Sequence, residues 1–176
     1  LYAENDTPKP TSVYGKSKLA GEKSLQSIWH KHIILRVSWV FSSYGKNFVK
    51  TIRRLAKERE SLSVVADQYG SPTSAASIAD MLLAICQTQI EQDDADSRWG
   101  LYHYTDFPLT TWHQFASAVT KDLGLNTEIK PIKTVDFPTL AFRPKFSGLS
   151  VRKIKEVFNL KQYSWYEQLK RINKYE

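Results

Sequence analysis

Tyr14 and Lys18 are the residues of this chain whose types and spacing most directly suggest chemistry. Positions i and i+4 share one face of a helix, so both side chains can point the same way. A free phenol has a pKa of ~10 and is a reluctant acid at neutral pH. A nearby ammonium stabilises the phenolate and lowers that value. Such a tyrosine can hand a proton to a carbonyl oxygen as hydride arrives at the carbonyl carbon. Spacing alone is weak evidence, since about one such pair is expected by chance among the tyrosines and lysines present. A second pair, Tyr166 and Lys170, indeed exists. It follows Trp165 and has no small residues beside it, so it reads as surface packing.

The elements around Tyr14 strengthen it. Glu4 to Thr11 holds prolines and acids and reads as an extended loop. A helix is expected from Ser12 to about Trp29, with Gly21, Leu25 and Ile28 as its apolar stripe. Its small residues Ser17, Ala20, Gly21 and Ser24 let another element approach closely. His32 to Phe41 is apolar and β-branched and predicts a buried parallel strand. Sites in nucleotide-binding α/β sheets form at the carboxyl ends of strands. Trp39 stands at that end, where it can stack on a base or sugar or pack under the next helix.

Farther on, Asn47 caps a helix with Phe48, Ile52 and Leu55 on its apolar face. Leu62 to Val65 is a short strand. A helix from about Ser74 to Gln89 should bury Ile78, Met81, Leu82 and Ile85, and Cys86 with them as a small hydrophobe. Glu91 to Arg98 reads as an acidic loop and Gly100 to Thr105 as a strand. Thr111 with Gln114 forms a capping box, Gly124 stops that helix, and Ser164 with Glu167 opens the last one. Strands alternating with helices predict an α/β fold with parallel pairing. Its domains are expected to be 1–128, the remainder of a Rossmann-like domain interleaved with substrate-binding segments, and 129–176, a smaller substrate lobe.

Composition narrows the class. Hydrophobic content of 41% and charged content of 24% are those of an ordinary globular protein. No apolar run reaches the ~20 residues a membrane helix needs. A single cysteine excludes an internal disulfide and suggests a reducing compartment, the cytoplasm. The net charge of +7 is spread along the chain, as in Arg53 to Glu60. That pattern argues against nucleic acid and for attraction of an anionic substrate such as a nucleotide diphosphate. His30, His32, His103 and His113 are scattered without metal-site spacing.

Several blocks together carry a family resemblance. Tyr2 to Pro10, then Val13 to Glu22 (VYGKSKLAGE), closely resemble the dTDP-4-dehydrorhamnose reductases, extended short-chain dehydrogenases/reductases. So do Ile34 to Phe41 with Gly45 to Val49, then Val64 to Thr73 (VVADQYGSPT), and Arg143-Pro144 with Ser147 and Leu149. The blocks are in order over nearly the whole chain. The resemblance implies reduction of the 4-keto group of a dTDP-4-keto-6-deoxysugar with NADPH or NADH, in nucleotide-sugar and cell-surface polysaccharide synthesis. It implies that Tyr14 is the proton donor and that Lys18 holds the cofactor ribose and lowers the phenol pKa. It implies that Trp39, Gln68 and Arg143 bind substrate, with Asp67, Gly70, Pro72 and Thr73 in a loop beside the site. Some relatives place a magnesium-binding glutamate where this chain has Ala76, so no metal is predicted.

The pattern departs from the family in lacking the glycine-rich phosphate loop. Leu1 in place of methionine agrees with a cut N-terminus, so the chain is expected to be the C-terminal part of a larger enzyme, inactive alone. Small-faced helices pair in this family, which leaves a homodimer open. Two other readings share the fold: a non-catalytic relative such as a methionine adenosyltransferase regulatory subunit, and a reductase or epimerase of another sugar nucleotide.

Overall fold

The computed structural model describes residues 1–90, 98–137, 139 and 143–173. The acidic stretch 91–97 lies outside them. Ser12 begins α1 (Val13–Ile28) by accepting the Gly15 amide on its hydroxyl. A short turn leads to β1 (Ile33–Val37), then β2 (Val40–Phe41). Asn47 caps α2 (Phe48–Glu58) through the Lys50 amide, and β3 (Ser61–Val65) follows. Two short strands, β4 (Tyr69–Gly70) and β5 (Thr73–Ser74), lead into α3 (Ala75–Ile90). β6 (Gly100–Tyr104) and β7 (Thr110–Thr111) precede α4 (Trp112–Asp122). Both bonds of the Thr111–Gln114 capping box are formed, and Gly124 ends the segment at φ +64°. β8 (Glu128–Ile132), α5 (Arg152–Phe158) and α6 (Trp165–Asn173) complete the order.

Pairing is parallel, as the alternation predicts, in β1 with β6, β2 with β5 and β3 with β8; only β4 with β7 is antiparallel. The strands form separate two-stranded sheets, and two cores grow on them. The first joins Phe41, Val49, Ile52, Leu62, Phe115, Val119, Trp165 and Leu169 from β2, β3, α2, α4 and α6. Phe115 sits at its centre, edge-on to Phe41 at 5.4 Å and to Trp165 at 5.2 Å. The second joins Met81, Ile85, Tyr102, Tyr104, Ile154 and Phe158 from α3, β6 and α5. Residues after 128 enter both cores, and β8 lies in register with β3 from Ser61↔Glu128 to Val65↔Ile132.

Three expectations are corrected. The apolar stripe of α1 is uncovered: the helix buries no residue, and Leu25 and Ile28 are 41% and 79% exposed. β1 is half-buried, not buried, because β6 is its only strand partner among the described residues. On α3, Met81 and Ile85 are inward, but Leu82 and Cys86 are exposed. Each is one position past a buried residue, and ~100° per residue carries it off the inward face.

Candidate functional site

Tyr14 and Lys18 stand together on the first turns of α1. The Lys18 ammonium lies 5.4 Å from the centre of the Tyr14 ring. Both residues are exposed. Neither the phenol oxygen nor the ammonium bonds to any described residue, so both remain available to a ligand. The decoy pair differs as expected. Tyr166 lies flat on the buried Trp165, with ring centres 3.6 Å apart.

Helix α1 is tied to the sheet by one bidentate ion pair, Arg36 Nε to Glu22 Oε1 at 2.9 Å and Arg36 Nη2 to Glu22 Oε2 at 2.6 Å. The turn after α1 reverses the chain, so helix and strand run antiparallel. Going back from Glu22 to Tyr14 covers ~12 Å along the helix. Going forward from Arg36 to Trp39 covers ~10 Å along the strand direction. Tyr14, Lys18 and Trp39 therefore share the carboxyl end of β1, the end at which α/β sheets take ligands.

Trp39 is half-buried and has φ +44°. Its carbonyl accepts the Thr73 amide at 3.1 Å. Its ring stacks on Trp112, the first residue of α4, with centres 3.6 Å apart and planes 10° from parallel. Phe48, the first residue of α2, packs on the other tryptophan at 4.6 Å. One face of the Trp39 ring is thus covered, by α4 rather than by the next helix in the chain, α2.

The loop after β3 brings in Gln68, which is 5% exposed and donates from Nε2 to Thr134 Oγ1 at 3.1 Å. Beside it, Asp67 accepts the Thr134 amide at 2.9 Å and its hydroxyl at 2.6 Å. The hydroxyl bond, more than any other influence, holds the Asp67 carboxyl below its usual pKa. Gln68 thus joins its loop to the turn at 134–136 through one of its amide hydrogens. The segment after Arg143 runs along the same loop. The Tyr69 amide donates to the Lys145 carbonyl, and the Ser147 amide to the Tyr69 carbonyl, each at 2.8 Å. Arg143 is exposed and makes no ion pair with a described residue.

Sequence reading missed a buried carboxylate behind this end of the sheet. Asp106, just past β6, is fully buried and accepts the Ser74 amide at 2.9 Å, the Ser77 hydroxyl at 3.1 Å and the Tyr104 phenol at 3.2 Å. Burial raises its pKa to about 6 against the pull of those donors. Burial foremost, then the Asp106 charge, raises the Tyr104 phenol too. No local pattern marks Asp106, because two of its three donors, Ser74 and Ser77, come from a helix start some thirty residues away. On β6 itself His103 is buried, its amide donating to Glu4 Oε1 at 3.0 Å, and burial lowers its pKa. These contacts hold the extended N-terminal segment against β6.

The description of the RmlD substrate binding domain matches residues 1–175. The chain belongs to that family. It is 43% identical to the dTDP-4-dehydrorhamnose reductase of Aggregatibacter actinomycetemcomitans, over 99% of this chain and 60% of that protein. With the enzyme of that name from Salmonella typhimurium, identity is 41% over 97% of this chain and 58% of the relative. The crystal structure of dTDP-4-dehydrorhamnose reductase from Bacillus anthracis, in complex with NADP, superposes with a TM-score of 0.87 at 36% identity. It is matched over 99% of this chain and 59% of its own. The RmlD-type chain thus spans about three-fifths of the relatives it matches. Among the described residues, no helix is long and apolar enough to cross a membrane.

Proposed function

We propose that this RmlD-type chain forms the proton-donating and substrate-binding side of a dTDP-4-keto-6-deoxysugar reductase, converting dTDP-4-dehydrorhamnose to dTDP-L-rhamnose. The observation that carries the reading is the unengaged Tyr14–Lys18 pair at the end of β1 that also holds Trp39. The names of the relatives, and the NADP in one related structure, support the substrate and cofactor. NADPH or NADH, when bound, supplies the hydride to C4 of the sugar. Tyr14 gives its phenolic proton to the carbonyl oxygen as that oxygen gains charge, so ketone, hydride and proton sum to a secondary alcohol. Lys18 stabilises the phenolate that results and reaches the ribose hydroxyls, which orients the nicotinamide.

None of the chain's glycines falls in a G-x-G-x-x-G pattern. The cofactor phosphates are accordingly assigned to residues outside 1–176, and the 176-residue chain alone is expected to turn over nothing. Trp39 meets the substrate, and exposed Arg143 reaches its nucleotide end as a cation suited to diphosphate. Gln68 shapes the loop between them. The reading places the enzyme in the cytoplasm, where a single free cysteine, Cys86, persists reduced. The test is an assay of the complete protein for NADPH oxidation dependent on the dTDP-4-keto sugar. Absence of sugar-dependent oxidation, together with stable co-purification of a methionine adenosyltransferase catalytic subunit, would replace this reading by the non-catalytic one.

A further inference from the structure

Among the described residues, Trp39 and Asn159 are the non-glycine residues with positive φ, at +44° and +50°. Asn159 closes α5, where a left-handed residue is ordinary and asparagine tolerates it. Trp39 closes no helix. A bulky aromatic in that region is strained and persists only where its surroundings over-determine it. Those surroundings are visible. One face of the indole is taken by Trp112, at 3.6 Å between ring centres. A Cβ built on Gly70 would lie 2.4 Å from Trp39 Cε2 and 2.6 Å from Cζ2, and 2.7 Å from Ser147 Oγ. Gly70 does not have the left-handed φ that usually calls for glycine. Its lack of a side chain serves the Trp39 ring.

We propose that Gly70 and Trp112 are positioning residues for Trp39. They clamp its ring at the carboxyl end of β1, so that the sugar nucleotide meets a preset indole through the part of the ring they leave uncovered. The inference rests on the reductase reading, because that reading supplies the ligand. It adds the cause of the placement: strained backbone at Trp39, stacking from α4 and a glycine-sized gap in β4. Preorganisation of this kind stabilises a complex by removing the cost of ordering the side chain on binding.

Stacked indoles couple their electronic transitions, so the clamp has a spectroscopic signature, an exciton couplet in the far-ultraviolet circular dichroism. The 176-residue chain should show the couplet, and Gly70→Ala should diminish it with helical content unchanged. In the complete enzyme, Gly70→Ala should raise KM for the sugar nucleotide about tenfold, with kcat and KM for NADPH within about twofold. Trp112→Phe, which keeps an aromatic face, should raise that KM less than Trp112→Leu. A folded Gly70→Ala protein with couplet and KM unchanged overturns the proposal. So does an equal rise in both KM values, which marks general disorder. Should Gly70→Ala not fold, equal KM values for Trp112→Phe and Trp112→Leu overturn it, and graded values support it. If the unsubstituted enzyme shows no sugar-dependent turnover, the reductase reading fails, and the couplet still decides whether Gly70 sets the ring.

Discussion

Helix α1 and the Trp39 stack lie at the same end of β1 but are held by opposite means. The helix carries the Tyr14–Lys18 pair, buries nothing, and reaches the sheet through the Glu22–Arg36 ion pair. The stack is wedged between the starts of two helices and a glycine, and beneath it lies the fully buried Phe115. On the proposed function, the difference separates two jobs. A proton donor must leave its polar atom free for a ligand, and exposure does that. A residue that sets a substrate's position must not move, and close packing does that.

The comparison can be broken first at Tyr14. Tyr14→Phe in the complete enzyme should lower kcat by about 10²- to 10⁴-fold, the range for losing a general acid. Its thermal midpoint should stay in place, because the side chain is 72% exposed. Phe115→Ala should do the reverse for stability, costing about 3–5 kcal/mol in urea unfolding. If Phe115→Ala costs under about 1 kcal/mol, the claim that the stack rests on a rigid core is wrong.

Asp106 sharpens the contrast through pH. Its folded pKa of about 6 lies above the unfolded value of ~3.9. A raised pKa means that its contribution to stability is complete below about pH 4 and lost as pH rises through about 6. Asp106→Asn should therefore gain on the parent protein between pH 4 and pH 7, by an amount on the order of 2–3 kcal/mol. A difference between the two proteins that stays flat across that window would show the carboxylate ionised throughout. The smallest effect belongs to the helix tie. Arg36→Gln should speed amide exchange across α1 by about tenfold, corresponding to ~1.4 kcal/mol of a charge-assisted bond, and leave α4 unchanged. Equal protection in both proteins would mean that α1 is held by something other than Glu22–Arg36.

Local features were legible because their causes are local. Ser12, Asn47 and Thr111 cap their helices through bonds to amides three residues on, so the motif and its partner lie in one short window. Parallel pairing followed from alternation of elements. The family blocks marked Tyr14, Lys18, Trp39, Gln68 and Arg143, yet their spacing did not show which would be free. Gln68 also bonds Thr134, a contact that no local pattern announced, because the turn at 134–136 arrives from far along the chain. Cys86 and Leu82 looked buried, because an apolar helix does not reveal which of its faces finds a partner.

By itself, the sequence determined helices α1 to α4, the caps at Ser12, Asn47 and Thr111, and the placing of a tyrosine beside a lysine on one helix face. These depend on dihedral preference and on separations of three or four residues, which chain order encodes directly. Tertiary structure alone decided that Trp39 stacks on Trp112 and needs a glycine at 70. It also decided that Asp106 is buried under the start of α3, and that α1 is tied to β1 by the Glu22–Arg36 pair. Those outcomes depend on which surfaces meet in space, and packing settles that only when the whole chain is folded.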